Sequence, residues 1–363
     1  MPKARQIVTI IGAGLAGSLL AIMLARRGFG VRVYERRPDM RQKDIPAGRS
    51  INLALAERGI EALKAAGVFE LIKPLLISMR GRMLHDPDGG LSFQPYGQAE
   101  SEVIYSVSRR DLNRRLMNVA ERDLGVAFYF GQRCTNADFD AGLLEMQDES
   151  AGRKYEMPMA PVIATDGAGS VVRRAMAEAG HCQSIEDYLE HDYKELEIPA
   201  SEDGRHLIEP HALHIWPRGG FMLIALPNLD GSFTVTLFLP RKGSDSFTTL
   251  REDAALIDFF TSTFPDTREL MPDLADDFFN NPTGSMVTVR CAPWRVDDRV
   301  LLLGDAAHAI VPFHGQGMNC AFEDCTVLDE LLGRYGEDWV EVFGEFEARR
   351  KPNAEAIADM ALE

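Results

Sequence analysis

Three hydrophobic segments follow one another at the start of the chain. Ile7, Val8, Ile10 and Ile11 form a short apolar run. Leu19, Leu20, Met23 and Leu24 recur at helical spacing, and Val31, Val33 and Tyr34 form a second short run. The pattern predicts strand, helix and strand, and two strands joined by a crossover helix make a parallel βαβ unit. Farther on the texture changes. His211–Trp216, Phe221–Leu226 and Phe233–Leu239 are β-rich, punctuated by Pro217 to Gly220 and by a turn from Pro227 to Gly231. These runs predict an antiparallel sheet. Asp298–Leu303 reads as another buried strand, ending at Gly304-Asp305, and a helix is predicted to begin near Cys320. From about Trp339 the chain reads as charged helix. There is no internal repeat and no low-complexity tract. The pattern stops at Glu363 inside Ala354–Glu363 without a Gly, Asn or Pro stop signal, as a chain cut within a helix would.

A length of 363 residues favours two domains, and 45% hydrophobic with 26% charged residues is globular composition. The 39 basic and 55 acidic side chains leave a net charge of −16, which disfavours nucleic acid and anionic lipid as partners. The five cysteines (Cys134, Cys182, Cys291, Cys320, Cys325) are scattered, without the spacing of a zinc site; no metal is expected, and a reducing compartment is. Ile7–Ile11 is too short for a membrane span, and no signal-peptide cleavage pattern follows it. A soluble, cytoplasmic protein is the expectation.

Gly12-Ala-Gly14-Leu15-Ala16-Gly17 directly follows the first predicted strand and opens the first helix. In that context Gly12 permits the tight turn, Gly14 lets backbone approach a pyrophosphate at the helix N-terminus, and Gly17 allows close helix–strand packing. Glu35, at the end of the second strand, suits a ribose diol and disfavours a 2′-phosphate, so the adenosine of FAD or NAD is preferred over NADP. Arg36 and Arg37 are placed to reach the diphosphate or close over the adenosine. Gly304-Asp305 ends a strand and offers a carboxylate to a ribityl or ribose hydroxyl. Gly315–Asn319 then leads into a helix whose first N–H groups can stabilise negative charge. Thr165-Asp166-Gly167 follows the apolar strand Val162–Ala164 and is by itself only a turn.

In this order the three elements resemble those of the FAD-dependent aromatic hydroxylases, the single-component flavoprotein monooxygenases. The glycine fingerprint, the Asp166-Gly167 pair and the Gly304-Asp305 pair stand where that family's motifs stand, and the resemblance covers almost the whole chain. Met79–Met83, Gln94–Gly97, Ser108–Asn113, Pro312–Cys320 and Arg350–Ala354 narrow it to the bacterial branch that hydroxylates L-kynurenine. The implied fold is α/β: a Rossmann-like FAD-binding domain of the para-hydroxybenzoate hydroxylase type, with an inserted antiparallel β-sheet substrate domain and a C-terminal helical segment. The corresponding ranges are 1–75, 100–175 and 285–335 for FAD, 76–99 and 176–284 for substrate, and 336–363 for the start of the helical segment.

The resemblance further implies FAD as cofactor, NADPH as transient reductant, O2 as co-substrate, and oxygen transfer through a flavin C4a-hydroperoxide to the ring carbon ortho to the aniline nitrogen. It places the substrate carboxylate on Arg82 and Tyr96. The aromatic slot falls to Met222, Ile224, Leu226, Thr236 and Phe238, with Phe313 and His314 near the flavin edge. Besides the residues already named for the cofactor, it assigns Ala54, Arg109, Met318 and Asn319 to FAD, with Leu55, Cys134 and Gly317 as neighbours. Two further substrate contacts of the family fall beyond Glu363. No residue is assigned as acid or base: His308 and His314 lie inside a motif, and His85, His181, His191, His206, His211 and His214 receive no role. The sequence leaves the oligomeric state open, a homodimer included. The readings set against this one are a hydroxylase of phenolic acids, a NAD-dependent dehydrogenase, and a non-enzymatic scaffold that kept the fold.

Overall fold

The structure is a computed structural model that describes residues 5–42, 52–99, 101–159 and 161–362. Ile7–Ile11 is a central strand of a six-stranded sheet, with Gly30–Glu35 parallel on one side and Val162–Ala164 parallel on the other. The chain reverses its direction of travel across the sheet at this strand, and open α/β sheets bind ligands at such a switch point, outside the carboxyl ends of the strands. Ala127–Phe130 extends the sheet beyond Gly30–Glu35, and Val300–Leu302 lies parallel to Val162–Ala164. The helix Leu15–Arg26 packs behind the sheet through Leu19, Leu20, Met23 and Leu24, all buried.

The second sheet has seven strands in the order Thr283–Ala292, Gln183–Ile198, Phe233–Pro240, Met222–Pro227, Ala212–Pro217, Gly81–His85 and Leu91–Pro95. Every neighbouring pair is antiparallel except Ala212–Pro217 with Gly81–His85, which is parallel. Strand Thr283–Ala292 carries this sheet past position 284 to Ala292. Side chains alternate between the two faces. Leu196, Leu223, Ala225, Val235 and Leu237 point outward into a core closed by the helices Asp253–Thr263 and Leu274–Asn280. Tyr193, Met222, Ile224 and Phe238 lie on the inner face and pack with Phe313. The sheet is fastened to the strands Asn52–Leu55 and Ile104–Ser108 at Pro227, whose carbonyl accepts from Asn52 Nδ2 and Ser106 Oγ at 2.9 Å each.

The helix predicted from Cys320 begins earlier, at Gly317, because Gly315 turns the backbone through a left-handed conformation (φ 61°) just ahead of it. The last helix, Trp339–Met360, contains Pro352 and ends before Leu362, while Glu363 lies outside the described residues. No helix among the described residues is long and apolar enough to cross a membrane.

Candidate active site

The carboxyl ends of the parallel strands Ile7–Ile11, Gly30–Glu35, Val162–Ala164 and Val300–Leu302 open onto a cavity of about 440 Å³. The glycine loop forms one wall, and its glycines divide into two kinds. A Cβ on Gly12 would lie 2.6 Å from the Thr165 carbonyl, and one on Gly17 would lie 2.1 Å from the Gly12 carbonyl. Both contacts are between backbone segments that cannot yield, so these two glycines serve the loop itself. Gly14 has nothing within 4 Å of such a Cβ and faces the cavity, which leaves its backbone open to a diphosphate.

Glu35 fastens the loop. Its Oε2 accepts the backbone N–H of Ala13 at 2.9 Å, and its Oε1 accepts the backbone and side-chain N–H groups of Arg37, also at 2.9 Å. Burial pushes this carboxyl up, but Arg37 and the two N–H groups outweigh it and hold the group below the usual carboxylate range. On the other side Asn113 Nδ2 donates to the Ala13 carbonyl at 2.9 Å. Glu35, Arg36 and Arg37 all line the cavity, as do Leu15 and Ala16.

The opposite wall comes from the Asp166, Asp305 and Gly317 segments. Asp166 Oδ2 caps the turn by accepting from Val171 N at 2.9 Å. Its Oδ1 is buried beside the cavity without a partner among the described residues. A buried acceptor left bare costs free energy, and a ligand hydroxyl removes that cost. Gly304 takes φ 62°, which turns the chain so that Asp305 faces inward. Gly317 and Met318 present the first turn of the helix Gly317–Tyr335, whose N–H groups have no helical partner. The residues present therefore fit FAD: an open glycine loop for the diphosphate, Glu35 and Asp166 for hydroxyls, and a helix N-terminus for negative charge on the ring.

Arg109 also lines this cavity, at the start of a helix whose N-terminus is capped by Ser108 Oγ accepting from Asp111 N. Cys134 lines it too; burial pushes its thiol up to about 12, so it stays a neutral wall. Several other predicted cofactor residues sit behind the lining. Leu55 is fully buried, and Leu53 takes the place on the wall. Asn319 spends its side chain on the protein: Oδ1 accepts from Ala56 N, and Nδ2 donates to the carbonyls of Ala54 and Gly315. Asn319 and Ala54 thus fix the helix start against the strand Asn52–Leu55.

On the seven-stranded sheet, Arg82 of strand Gly81–His85 meets Tyr96, one residue past the neighbouring strand Leu91–Pro95, with the guanidinium carbon 5.5 Å from the ring centre. Burial pushes the Tyr96 phenol up, and its hydroxyl lacks a hydrogen-bond partner among the described residues. Met222 pairs with Phe238, Ile224 with Thr236, and Leu226 with Thr234, so the predicted slot residues form adjacent rows on one face. Phe313 packs edge-on against Phe238 at 5.4 Å. His314 is exposed, and neither it nor Phe313 is on the cavity wall.

Two networks escaped the sequence reading. The Asp324 carboxylate, fully buried, accepts from Gly304 N at 3.1 Å, His308 Nε2 at 2.6 Å and Arg350 Nε at 2.7 Å. It ties the turn before Asp305 to the last helix. His308, Cys320 and Asp324 cluster as metal donors do, but Arg350 already occupies the carboxylate and lies beside the Cys320 sulfur. Behind the strand Gly81–His85, His85 lies between Asp266 Oδ2 at 2.7 Å and His214 Nδ1 at 2.8 Å, and Trp216 Nε1 donates to the same Asp266 oxygen. Both networks join residues far apart in sequence. The Arg350–Ala354 motif was the one signal pointing to the first.

A family profile described as "FAD binding domain" matches residues 5–361. The kynurenine 3-monooxygenase of Myxococcus xanthus is 53% identical over 364 residues, which span all of this chain and 78% of that one. The chain belongs to the kynurenine 3-monooxygenase family. The family enzyme of Stenotrophomonas maltophilia is 49% identical over 360 residues, covering 99% of this chain and 79% of its own. Among solved structures, 2-methyl-3-hydroxypyridine-5-carboxylic acid oxygenase superposes with a TM-score of 0.80 at 20% identity, covering 99% of this chain and 90% of that one. Klebsiella pneumoniae HpxO complexed with FAD and uric acid superposes at 0.75 with 22% identity, covering 98% and 87%. These two share the fold of the family, the FAD-dependent aromatic hydroxylase architecture.

Proposed function

We propose that the cavity at the switch point is the FAD site, that the inner face of the seven-stranded sheet is the substrate site, and that the chain hydroxylates L-kynurenine to 3-hydroxykynurenine with NADPH and O2. The observation that carries the substrate is the Arg82–Tyr96 pair at the edge of an apolar face, in a chain 53% identical to a kynurenine 3-monooxygenase. A guanidinium fork and a phenol hydroxyl without a protein partner suit a carboxylate. A dehydrogenase would use the glycine loop and Glu35 but has no need of the Asp305–Met318 wall or of the sheet.

FAD, when bound, supplies the redox chemistry that activates O2. The chain's own residues do the rest. Gly14 and the helix behind it hold the diphosphate. Glu35, Asp166 and Asp305 hold hydroxyls. Arg82 and Tyr96 hold the substrate carboxylate. Met222, Ile224, Leu226, Thr236, Phe238 and Phe313 form the slot for the ring and exclude water. The ring is already activated by its amine, so orientation and dryness are what the protein contributes. Arg36 and Arg37 belong to the adenosine end, and the ranges either side of the substrate sheet form the FAD domain. NADPH binds transiently, the chain works in the cytoplasm, and nucleic acid is no partner.

The test is NADPH oxidation by the flavin-loaded protein with and without L-kynurenine, with the product identified by mass. Stimulated oxidation with a product heavier by one oxygen is the expected result. Absence of stimulation in a protein that holds FAD overturns the substrate.

A further inference from the structure

The two segments that form the cavity wall opposite the glycine loop meet each other. A Cβ on Gly317 would lie 3.8 Å from Asp305 Oδ1, an ordinary van der Waals distance. What holds each segment lies behind the wall, and both lines of support lead to Arg350, which is 1% exposed.

The first line runs through Asp324. Its Oδ1 accepts from Arg350 Nε, while its Oδ2 accepts from Gly304 N and His308 Nε2. Burial pushes this carboxyl up, but His308 and Arg350 outweigh it and hold the group below the usual carboxylate range. It is therefore an acceptor at both oxygens. A carboxylate pinned at both oxygens has one orientation. Freed at Oδ1, it can turn about its Cβ–Cγ bond and carry Oδ2 away from the N–H of Gly304, the residue that aims Asp305.

The second line runs through Glu323, the neighbour of Asp324 on the same helix. Glu323 Oε2 lies 2.9 Å from Arg350 Nη1 and 3.5 Å from Arg58 Nη1. Arg58 stands in the first turn of the helix Glu57–Ala65, and its Nη2 donates to Gln316 Oε1 at 2.7 Å. Gln316 immediately precedes Gly317 and the helix it opens. The two lines thus leave one guanidinium and rejoin where Asp305 meets Gly317. Arg350 Nη2 also donates to the Cys320 carbonyl at 3.3 Å, so all three guanidinium nitrogens are engaged. A rigid fork spans these partners, and a lysine ammonium is a single point charge.

We propose that Arg350 is a positioning residue for the flavin. Through Asp324 it holds the turn that presents Asp305 to a cofactor hydroxyl. Through Glu323 and Arg58 it holds the helix start that faces negative charge on the ring. The inference rests on the reading that this cavity takes FAD. It makes the helix Trp339–Met360 part of the cofactor site although none of its residues lines the cavity. The helix start favours the reduced, more negative ring over the oxidised one. The second line therefore acts on the reduction potential, and the first on affinity.

The experiment uses wild type, Arg58→Met, Glu323→Gln, Arg350→Lys and the double variant of Glu323→Gln with Arg350→Lys. FAD affinity, the flavin reduction potential and the melting of the flavin-free protein are measured for each. Arg58 and Glu323 are partly exposed, so the flavin-free Arg58→Met and Glu323→Gln proteins should melt as wild type does. Both should favour oxidised flavin about threefold more than wild type, a potential lower by ~14 mV. They remove opposite charges, so an effect of charge through space would move the two potentials in opposite directions, and a shared fall marks lost positioning. Arg350→Lys keeps its charge and should show the same fall, with FAD bound about tenfold more weakly because the Asp324 line fails too. The double variant should fall no further than either single one, as two breaks in one line do. Potentials that stay at the wild-type value, move in opposite directions or fall additively overturn the proposal, and the first two outcomes are decided even if Arg350→Lys does not fold. A wild type that binds no FAD overturns the reading of the cavity itself, and is told apart because no potential can then be measured.

Discussion

Glu35 and Ala13 are 22 residues apart in sequence and joined by a 2.9 Å hydrogen bond from the Ala13 N–H to Glu35 Oε2. The acid read from the sequence as a ribose ligand thus also holds the glycine loop in shape. Replacing it removes the anchor as well as the ligand contact. Glu35→Ala should weaken FAD binding by about 2–3 kcal/mol, on the order of 30- to 150-fold. Fluorescence titration of the flavin-free protein with FAD measures this, and a change under twofold would mean the loop holds its shape without Glu35.

The fingerprint glycines should fail in different ways. Gly17→Ala places a methyl 2.1 Å from the Gly12 carbonyl and 2.6 Å from Thr165 Oγ1, so the protein should lose thermal stability even before FAD is added. Gly14→Ala meets nothing in the protein and has an extended backbone (φ −70°, ψ −175°) that alanine adopts freely. It should fold normally and lose flavin. Melting curves with and without FAD separate the two, and equal destabilisation of both flavin-free variants would refute the division.

Arg82→Lys keeps the charge and loses the planar fork. The expected loss is about 2 kcal/mol, a ~30-fold rise in KM for L-kynurenine, with FAD content unchanged. Steady-state kinetics on flavin-saturated protein decides. An unchanged KM would move the carboxylate anchor elsewhere.

Acid should loosen the seven-stranded sheet through His214. Burial pushes this imidazole down to about 4, from an ordinary value near 6.5. Between those two values the unfolded chain binds the proton and the folded one does not. Stability is therefore full above pH 6.5 and falls as pH drops toward 4, by on the order of 3 kcal/mol. Urea unfolding of wild type and His214→Gln across pH 4.5–7.5 tests this. The variant should show a flatter profile, and parallel profiles would place the proton uptake elsewhere.

What was legible in the sequence was local. The glycine loop, the Asp305 turn and the alternation of Met222, Ile224 and Leu226 each declare themselves within a few residues, and the structure places them as read. That Arg82 and Tyr96 lie together was expected only through resemblance, since nothing near either residue says that two neighbouring strands will bring them into contact. Asp324 was invisible because its partners, Gly304, His308 and Arg350, come from a turn and two other helices. Leu55 and Asn319 show the opposite failure. Motif position put them at the cofactor, while packing set one in the core and used the other as a strut.

The Asp324–Arg350 contact also says something about when the cofactor can be captured. The glycine loop leaves the ribosome long before Arg350, but the turn that aims Asp305 is held by a carboxylate that also needs Arg350, on the helix Trp339–Met360. Until that helix has been made and has docked, the opposite wall has no fixed shape. FAD loading therefore waits for Arg350 to be made and seated, and a protein in which the helix Trp339–Met360 fails to dock should stay colourless rather than yellow.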